Sequence, residues 1–259
     1  MEDSPSARLY STAAGNLYGT TQYGGSANAG VVFKLTPSGS GWSESVLHSF
    51  TGEPTDGSQP TSGLVLDAAG NLYGATIGGG SNNNGRVFQL MPSGSGWTEN
   101  ILHSFNFETD GLNPYGGLIF DHSGNLYGST AFAALGDGTV FELAPSGGEW
   151  IFTTLYNLTS GQAGLPGSLG TLALDAAGNL YGTTYEGGLS EGCIGYGCGT
   201  VFELAPSSGG WAYSLLHEFL GGQDGSNPAG GLILDPQGNL YGTASTGAYG
   251  YGAVWELTP

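Results

Sequence analysis

Gly178-Asn179-Leu180-Tyr181-Gly182 is the segment on which the fold prediction rests, because it occurs five times in the chain. The other copies begin at Gly15, Gly70, Gly124 and Gly238, so successive copies start 55, 54, 54 and 60 residues apart. Identical segments at a nearly constant spacing of this size indicate copies of one supersecondary unit. The sequence therefore predicts five repeat units.

Each of the first four units carries four runs with the features of β-strands. In the second unit the expected strands A to D are Gly63–Asp67, Asn71–Thr76, Arg86–Met91 and Trp97–Phe105, with Pro92 expected to end strand C. Alternating apolar residues, many aromatic and β-branched side chains, and bounding Gly, Pro, Asn and Asp are strand signals. Four antiparallel strands per unit, repeated radially, are typical of a β-propeller blade. We predict an all-β, five-bladed β-propeller with four-stranded antiparallel blades; a solenoid is the alternative, and the hairpin turns disfavour it.

The repeats predict a single propeller domain over residues 1–259, with units at about 7–62, 63–116, 117–170, 171–230 and 231–259. The fifth unit has strands A, B and C before Pro259, so the last blade is expected to lack one strand. The edge Val254–Leu257 would then be exposed, and open edges favour pairing with other chains. Residues 2–6 are a poor substitute strand because they are charged and contain Pro5. The N-terminal arm, another chain, or a part of the protein missing from this sequence would complete the blade.

Aligned aspartates precede the A–B turn in four units, and Ser11 or Thr12 takes their place in the first unit. The four are Asp67, Asp121, Asp175 and Asp235. An aspartate at this position can bond the backbone amides of a turn that ends in a left-handed glycine. Aligned carboxylates also suggest calcium, but each already has an equivalent role in its turn, and that role is the favoured explanation. We therefore expect no cofactor and assign no metal ligand, with calcium binding as the alternative.

Aligned histidines lie near the end of strand D in three units: His48, His103 and His217. Tyr156 occupies the position in the third unit. A repeated histidine that a tyrosine can replace indicates half-buried packing or hydrogen bonding rather than catalysis.

The charge of the chain excludes several classes of partner. It carries 21 acidic residues against Arg8, Lys34 and Arg86, and its formal net charge is −18. Proteins that bind nucleic acid need many Lys and Arg side chains to replace counterions along the phosphates. We therefore expect no nucleic-acid partner. We also expect no membrane insertion, because the sequence has no apolar run of membrane-spanning length.

Cys193 and Cys198 are the two cysteines of the chain, and both lie in one loop. Local pairing would suit an oxidising compartment. Two free thiols, or a metal site with further ligands, are the alternatives. Residues 1–20 contain no apolar segment of the kind found in signal peptides. We expect an extracellular or cell-surface protein, with no signal peptide present in this chain.

The B–C loops differ strongly between units, whereas the A–B and C–D turns are nearly constant. Function on repeat scaffolds usually lies in loops held by a rigid frame, so we predict a ligand site on the B–C and D–A loops. Tyrosine rings stack on the apolar faces of sugars, and carboxylates bond sugar hydroxyls. The candidate ligand-binding residues are Tyr23, Tyr185, Glu186, Tyr196, Tyr249 and Tyr251 in the B–C loops, with Asp56, Asp110 and Asp224 in the D–A loops.

Three motifs together resemble the bacterial "GloVer" tandem-repeat family. They are Leu-x-Leu-Asp-x-x-Gly-Asn-Leu-Tyr-Gly, Val-Phe-x-Leu-x-Pro, and the segment Asp224–Gly231 that precedes a new strand A. The resemblance covers nearly the whole chain. It implies a secreted or surface-displayed bacterial protein with propeller-like repeats, and it brings no established catalytic residues. The Asp-x-x-Gly-Asn-Leu-Tyr element alone is also similar, more weakly, to NHL-type propeller repeats, which are general binding platforms.

The leading functional prediction is a secreted, non-catalytic binding module whose ligand is an extracellular carbohydrate, with another surface protein as the alternative partner. A second hypothesis is a structural or self-assembling surface protein that uses the Val254–Leu257 edge. A third is a glycoside hydrolase, which needs two carboxylates across the scissile bond. Asp137 and Glu186 depart from the repeat and are candidates for such a pair. No known catalytic motif supports them, so the sequence leans against an enzyme.

Overall fold

The computed structural model describes residues 9–52, 54–134, 136–159, 170–189, 193 and 197–258. The fold is an all-β, five-bladed β-propeller, as the repeats predict, and no α-helix occurs in these ranges. A 3-10 helix, Gly222–Asp224, is the one short helical segment there. The chain divides into two compact units, one containing the first two blades and the other containing most of the remaining three.

The first unit holds blades 1 and 2. Blade 1 is an antiparallel sheet in chain order, made of β1 (Tyr10–Ser11), β2 (Leu17–Thr21), β3 (Val31–Ser38) and β4 (Gly41–Ser49). Blade 2 consists of β5 (Gly57–Pro60), β6 (Val65–Leu66), β7 (Leu72–Gly79), β8 (Arg86–Ser93) and β9 (Gly96–Ser104). Its strand order is β5-β7-β8-β9, and β6 also pairs with β7.

The second unit holds blades 4 and 5 and most of blade 3. Blade 3 comprises β10 (Ile119–Phe120), β11 (Leu126–Thr130), β12 (Thr139–Ser146) and β13 (Glu149–Asn157). Blade 4 comprises β14 (Ala173–Leu174), β15 (Leu180–Thr184), β16 (Thr200–Ser207) and β17 (Gly210–Glu218). Both are antiparallel sheets in chain order. Blade 5 comprises β18 (Ser226–Pro228), β19 (Ile233–Leu234), β20 (Leu240–Thr246) and β21 (Ala253–Leu257), with β18, β19 and β21 all pairing with β20.

Several details of the strands differ from the sequence prediction. Strand B of blade 2 continues to Gly79 instead of ending at Thr76. Strand A of blade 2 has only two residues, Val65–Leu66. Pro92 does not end strand C, because it lies in the last pairs before the hairpin turn, where it faces Trp97. The D–A connections add the short strands β5 and β18, which carry no alternating pattern and were predicted as loops.

The last blade lacks strand D in the part of the chain that the structure describes, as predicted. There β21 pairs with β20 alone, and β18 supplies the fourth strand of the sheet. The exposure of one aligned valine measures the effect. Val254 of β21 is 82% exposed, whereas its counterparts Val32, Val87, Val140 and Val201 are 0% exposed.

The two motifs of the repeat meet across strands B and C. The second glycine of Gly-Asn-Leu-Tyr-Gly lies directly opposite the Phe of Val-Phe-x-Leu-x-Pro, as in the pair Gly182 and Phe202. A Cβ atom on Gly182 would lie 2.4 Å from Cζ of Phe202. The glycine is therefore required because the aromatic ring packs onto its backbone. Trp255 replaces the Phe in blade 5, and its ring covers Gly242 in the same way.

Apolar cores lie between neighbouring blades within each unit. In the first unit, Phe50, Leu64, Leu72 and Phe88 of blades 1 and 2 form one buried cluster. In the second unit, one cluster joins blades 3 and 4 and another joins blades 4 and 5. The Phe rings of strand C therefore contribute to inter-blade packing, as the sequence predicts.

The aligned aspartates hold the A–B turns. Asp67 Oδ1 accepts hydrogen bonds from the backbone amides of Ala69 and Asn71, both at 2.9 Å. Its Oδ2 accepts from Asn71 Nδ2 at 2.7 Å and from Tyr73 Oη at 2.9 Å. The same set of bonds recurs around Asp121, Asp175 and Asp235, and Thr12 Oγ1 accepts from Asn16 N in blade 1. These contacts support the predicted turn role.

Candidate functional site

The variable loops are held on a repeated frame. A proline of the D–A loop packs onto a left-handed glycine that ends the B–C loop, and an added Cβ on Gly199 would lie 2.4 Å from Cδ of Pro228. The residue before the proline also has a positive φ, which is 57° at Asn227. Its amide donates to Cys198 O at 2.7 Å, and its Nδ2 donates to Tyr185 O at 3.0 Å. The equivalent pairs in the first unit are Gly30 with Pro60 and Gly85 with Pro114.

The predicted loop residues occupy different environments. Tyr23 is exposed and lies in the first unit, whereas Tyr185 and Glu186 are half-buried and lie in the second. Partial burial raises the pKa of Glu186. Tyr249 and Tyr251 share one loop and are 90% and 80% exposed. Tyr196 lies outside the described residues.

The two exposed tyrosines lie beside the preceding D–A loop. Strand β18 pairs with β20 through Ser226 and Thr246, so the loops that continue from these residues leave the sheet side by side. The D–A loop contributes the exposed Leu220 and the carboxylate of Asp224. We refer to Leu220, Asp224, Tyr249 and Tyr251 as the tyrosine surface. It combines aromatic, aliphatic and acidic groups within one unit.

The D–A aspartates also fasten their own loops. Asp56 Oδ2 accepts from Thr51 N at 2.7 Å and from Thr51 Oγ1 at 2.9 Å, and its Oδ1 accepts from Gly57 N at 2.6 Å. Asp224 Oδ2 accepts from Leu220 N at 2.8 Å. Asp110 is buried. The side chain of Asp224 is the most exposed of the three predicted D–A carboxylates.

His48 and His217 each hydrogen-bond to one of these aspartates. His48 Nε2 lies 3.4 Å from Asp56 Oδ1, and His217 Nε2 lies 3.2 Å from both carboxylate oxygens of Asp224. Each ring also packs edge-on against a buried phenylalanine two residues later, Phe50 or Phe219. This is the half-buried hydrogen-bonding role that the sequence predicts for these histidines.

A third side chain joins the first of these pairs. Glu99 Oε1, from strand β9 of blade 2, lies 3.8 Å from His48 Nε2. The ligand atoms of His48, Asp56 and Glu99 all lie within 4.8 Å of one another. We call these three residues the His48 cluster. The repeat pattern does not reveal this cluster, because Glu99 comes from the neighbouring repeat and has no aligned acidic residue in blades 3 and 4.

The environment of the His48 cluster separates the pKa values of its carboxyl groups. Burial raises the pKa of Glu99 to about 7, and the negative charge of Asp56 adds to the rise while His48 and Arg86 oppose it. Burial acts in the same direction on Asp56, but hydrogen bonds from His48, Thr51 and Gly57 outweigh it and lower its pKa to about 2. For His48, burial disfavours the charged form, yet the two carboxylates outweigh it and raise the pKa.

A disulfide joins Cys193 and Cys198, as predicted, with a Cα–Cα distance of 5.2 Å. Cys198 is fully buried in the cluster between blades 4 and 5, together with Phe219 and Leu240. Its carbonyl accepts the hydrogen bond from Asn227, so the disulfide lies in the frame that carries the tyrosine surface.

Across the described residues, no helix is both long enough and sufficiently apolar to cross a membrane. No curated protein matches the sequence significantly.

Several solved structures share the fold at low sequence identity. A gluconolactonase from Xanthomonas campestris superposes with a TM-score of 0.55 and 15% identity, over 96% of this chain and 70% of that protein. An α-L-arabinofuranosidase from Fusarium graminearum superposes with a TM-score of 0.52 and 15% identity, over 92% of this chain and 74% of that protein. An α-L-arabinanase from Penicillium chrysogenum, complexed with arabinobiose, superposes with a TM-score of 0.50 and 15% identity, over 96% of this chain and 79% of that protein. These sugar-processing enzymes are distant, and the likeness establishes the fold alone.

Family membership follows from the repeat sequence itself. A family model described as the Gloeobacter/Verrucomicrobia repeat matches residues 2–194 and 98–259, which together span nearly the whole chain. The resemblance drawn from the repeat motifs is therefore confirmed, and the chain belongs to the Gloeobacter/Verrucomicrobia repeat family.

Proposed function

We propose that this protein is an extracellular, non-catalytic binding module whose ligand is a carbohydrate held on the tyrosine surface. The observation that carries the proposal is the exposure of Tyr249 and Tyr251, at 90% and 80%. Among the aromatic side chains of the described residues these two are the most exposed. Leaving two adjacent aromatic rings in water contributes little to folding stability, so their placement favours a binding role.

The chemistry of the surface suits a sugar. Tyrosine offers an apolar ring face with a hydroxyl at its edge, so one side chain can both stack on a pyranose and hydrogen-bond to it. Gly250 lies between the two tyrosines with a φ of 76°, a conformation that shapes the loop without a third side chain. The carboxylate of Asp224, which is partly exposed, can accept hydrogen bonds from sugar hydroxyls.

The D–A carboxylates Asp224 and Asp56 are held within their own loops. Glycoside hydrolysis requires two carboxyl groups that face a shared substrate across the scissile bond. Asp224 is held by Leu220 and His217, and Asp56 is held by Thr51, Gly57 and His48. Related folds include enzymes named for sugar substrates, but identities of 15% carry no residue roles to this chain.

The test is an array of plant, algal and bacterial polysaccharides probed with the purified chain. We expect binding to a subset of the polysaccharides, with no release of reducing sugar from them. The double substitution Tyr249→Ala and Tyr251→Ala should abolish the signal while leaving the circular dichroism spectrum unchanged, because both rings are exposed. Tyr115→Ala is the matched control, since Tyr115 is an exposed tyrosine outside the tyrosine surface.

Three array results would count against the proposal. Silence on every polysaccharide would contradict a carbohydrate ligand and favour a protein partner. Binding that survives the double substitution would show that the ligand does not bind to the tyrosine surface. Release of reducing sugar that Asp137→Ala or Glu186→Ala abolishes would favour the hydrolase.

A second candidate function is self-assembly through the edge of β21. The observation that favours it is the 82% exposure of Val254, at a position where four counterparts are fully covered by their strand D. The occupant that we infer is β21 of a second copy, paired antiparallel, because two identical open edges complement each other.

A further inference from the structure

The His48 cluster places three metal-ligating atoms around one point in the first unit. Nε2 of His48 lies 3.4 Å from Asp56 Oδ1 and 3.8 Å from Glu99 Oε1, and all three ligand atoms fall within 4.8 Å of one another. Ligands of a tetrahedral zinc ion, bound at about 2.0–2.2 Å, lie roughly 3–3.5 Å apart. Small side-chain movements would therefore bring the three atoms into contact with a single ion.

One ligand atom lacks a hydrogen-bond partner within the described residues. Oε1 of Glu99 is fully buried and accepts no hydrogen bond there, and the whole side chain is only 15% exposed. A buried carboxylate oxygen without a hydrogen bond is costly, because the attraction of His48 at 3.8 Å replaces its lost hydration only in part. The atom points into the cluster, where a bound cation would satisfy it.

The other repeats provide an internal comparison. His217 and Asp224 form the same kind of pair in blade 4, but no third carboxylate joins them among the described residues. At the position of Glu99, blade 3 has Phe152 and blade 4 has Tyr213. Tyr213 stacks on Tyr156, which occupies the histidine position, with ring centroids 5.6 Å apart. Two stacked tyrosines therefore occupy this position between blades 3 and 4, whereas His48 and Glu99 occupy the equivalent position between blades 1 and 2.

Neighbouring groups already orient the ligands. The amide and hydroxyl of Thr51 hold Oδ2 of Asp56, and the amide of Gly57 holds Oδ1. Such outer contacts fix the direction of a ligating carboxylate and strengthen metal binding. Arg86 is the nearby cation, and its guanidinium donates to the carbonyl of Pro54. Metal ligation requires a neutral imidazole and two ionised carboxyl groups. In that form Arg86 offsets one carboxylate charge, and one negative charge remains to attract a cation.

We propose that His48, Asp56 and Glu99 bind a divalent transition-metal ion, with zinc as the best match. One imidazole nitrogen and two carboxylate oxygens are ligands that zinc accepts, and three protein ligands leave one position for water. Calcium prefers six to eight oxygen ligands, which this set does not provide. The ion joins strand β4 of blade 1 to strand β9 of blade 2. Its role is a structural cross-link on the outer strands of the first unit.

The experiment uses the full chain freed of metal with a chelator and Zn²⁺ alone as the probe. Titration calorimetry measures the affinity, and Co²⁺ in place of Zn²⁺ gives a visible absorption spectrum that reports coordination. Glu99→Gln and His48→Gln each remove one ligand, and Glu99→Gln keeps the side-chain shape, so the test holds even if His48→Gln fails to fold. His217→Gln is the matched control, because it alters the equivalent pair that has no third ligand.

We expect the wild-type chain and His217→Gln to bind one Zn²⁺ and to melt at a higher temperature in its presence. Both ligand substitutions should weaken binding by at least about 10-fold, the lower range reported even for outer-shell changes. No binding by the wild-type chain at Zn²⁺ concentrations up to about 1 mM would overturn the proposal. So would affinity that is unaffected by Glu99→Gln, or lowered equally by His217→Gln.

Discussion

Gly182 illustrates how one residue couples the two motifs of the repeat. Its φ is not in the left-handed region, so the reason for glycine is space alone. An added Cβ would lie 2.4 Å from Cζ of Phe202 and 3.0 Å from Cδ2 of Leu172. Because both neighbours are fully or almost fully buried, neither can move without disturbing the core between blades.

We predict that Gly182→Ala destabilises the protein by about 1–3 kcal/mol, the usual cost of overpacking a core. Urea unfolding measures the change in the free energy of unfolding. Phe202→Leu should relieve the clash, so the double variant should be more stable than the sum of the single changes implies. Strict additivity of the two substitutions would contradict the packing explanation.

Asp67 and Asp175 make the stability of the A–B turns depend on pH. Burial opposes their ionisation, but hydrogen bonds from Asn71 and Tyr73, and from the equivalent Asn179 and Tyr181, outweigh it and lower both pKa values. A lowered folded-state pKa means that the ionised carboxylate stabilises the fold above its unfolded pKa of about 3.9. That contribution is lost as pH falls through the lower, folded-state pKa.

We predict that Asp67→Asn costs about 1–3 kcal/mol near pH 7, because one amide oxygen cannot accept all four bonds. The difference from the wild-type chain should shrink as pH falls below about 4. Asp175→Asn should behave alike, since its turn has the same contacts. Urea unfolding from pH 3 to pH 7 measures both, and a difference that does not vary with pH would show that the charge is not responsible.

For individual side chains, the sequence predicts the roles of residues that recur in several repeats. It does not predict the contacts of residues that occur in one repeat only. The turn aspartates and the histidine positions were predictable because each occurs several times with the same neighbours. Glu99 was not, because its partners His48 and Asp56 belong to the preceding repeat unit. A contact between a residue that occurs in one repeat only and the recurring residues of the neighbouring repeat leaves no periodic pattern in the sequence.

At the scale of elements, strand D acts as the cover of each sheet. His48, His103 and His217 pair directly with the valines of strand C, which are fully buried in blades 1, 2 and 4. Without that cover, Val254 is exposed on β21. The sequence did not predict the short strands β5 and β18, because they have no alternating apolar pattern. They are extended because each pairs with strand B of its blade.

The self-assembly hypothesis predicts that the wild-type chain forms larger species as its concentration rises. Val254→Lys should keep it monomeric, because a lysine on an open edge resists strand pairing and the side chain is already exposed. Leu189→Lys is the control, since Leu189 is 86% exposed and lies outside the strands. Sedimentation velocity measures the mass, and a wild-type monomer at every concentration would contradict the hypothesis.

At the scale of the whole molecule, a constant frame carries variable loops. The motifs that set the frame are read directly from the sequence, and they account for the strands, the turns and the packing between blades. The loops follow no repeat. The sequence therefore predicts which loops carry the candidate site, but not which of their side chains are exposed. Only the structure distinguishes the exposed Tyr249 and Tyr251 from the half-buried Tyr185 and from the buried Asp56 and Asp110.

The most direct test of a carbohydrate-binding function is the affinity of the wild-type chain and the Tyr249→Ala, Tyr251→Ala variant for the best polysaccharide from the array. Isothermal titration calorimetry should give measurable binding for the wild-type chain. Loss of both rings should weaken it by about 10- to 100-fold, or roughly 1.4–2.8 kcal/mol, as expected for central aromatic contacts. Equal affinity of the two proteins, or no binding by either, would contradict the account.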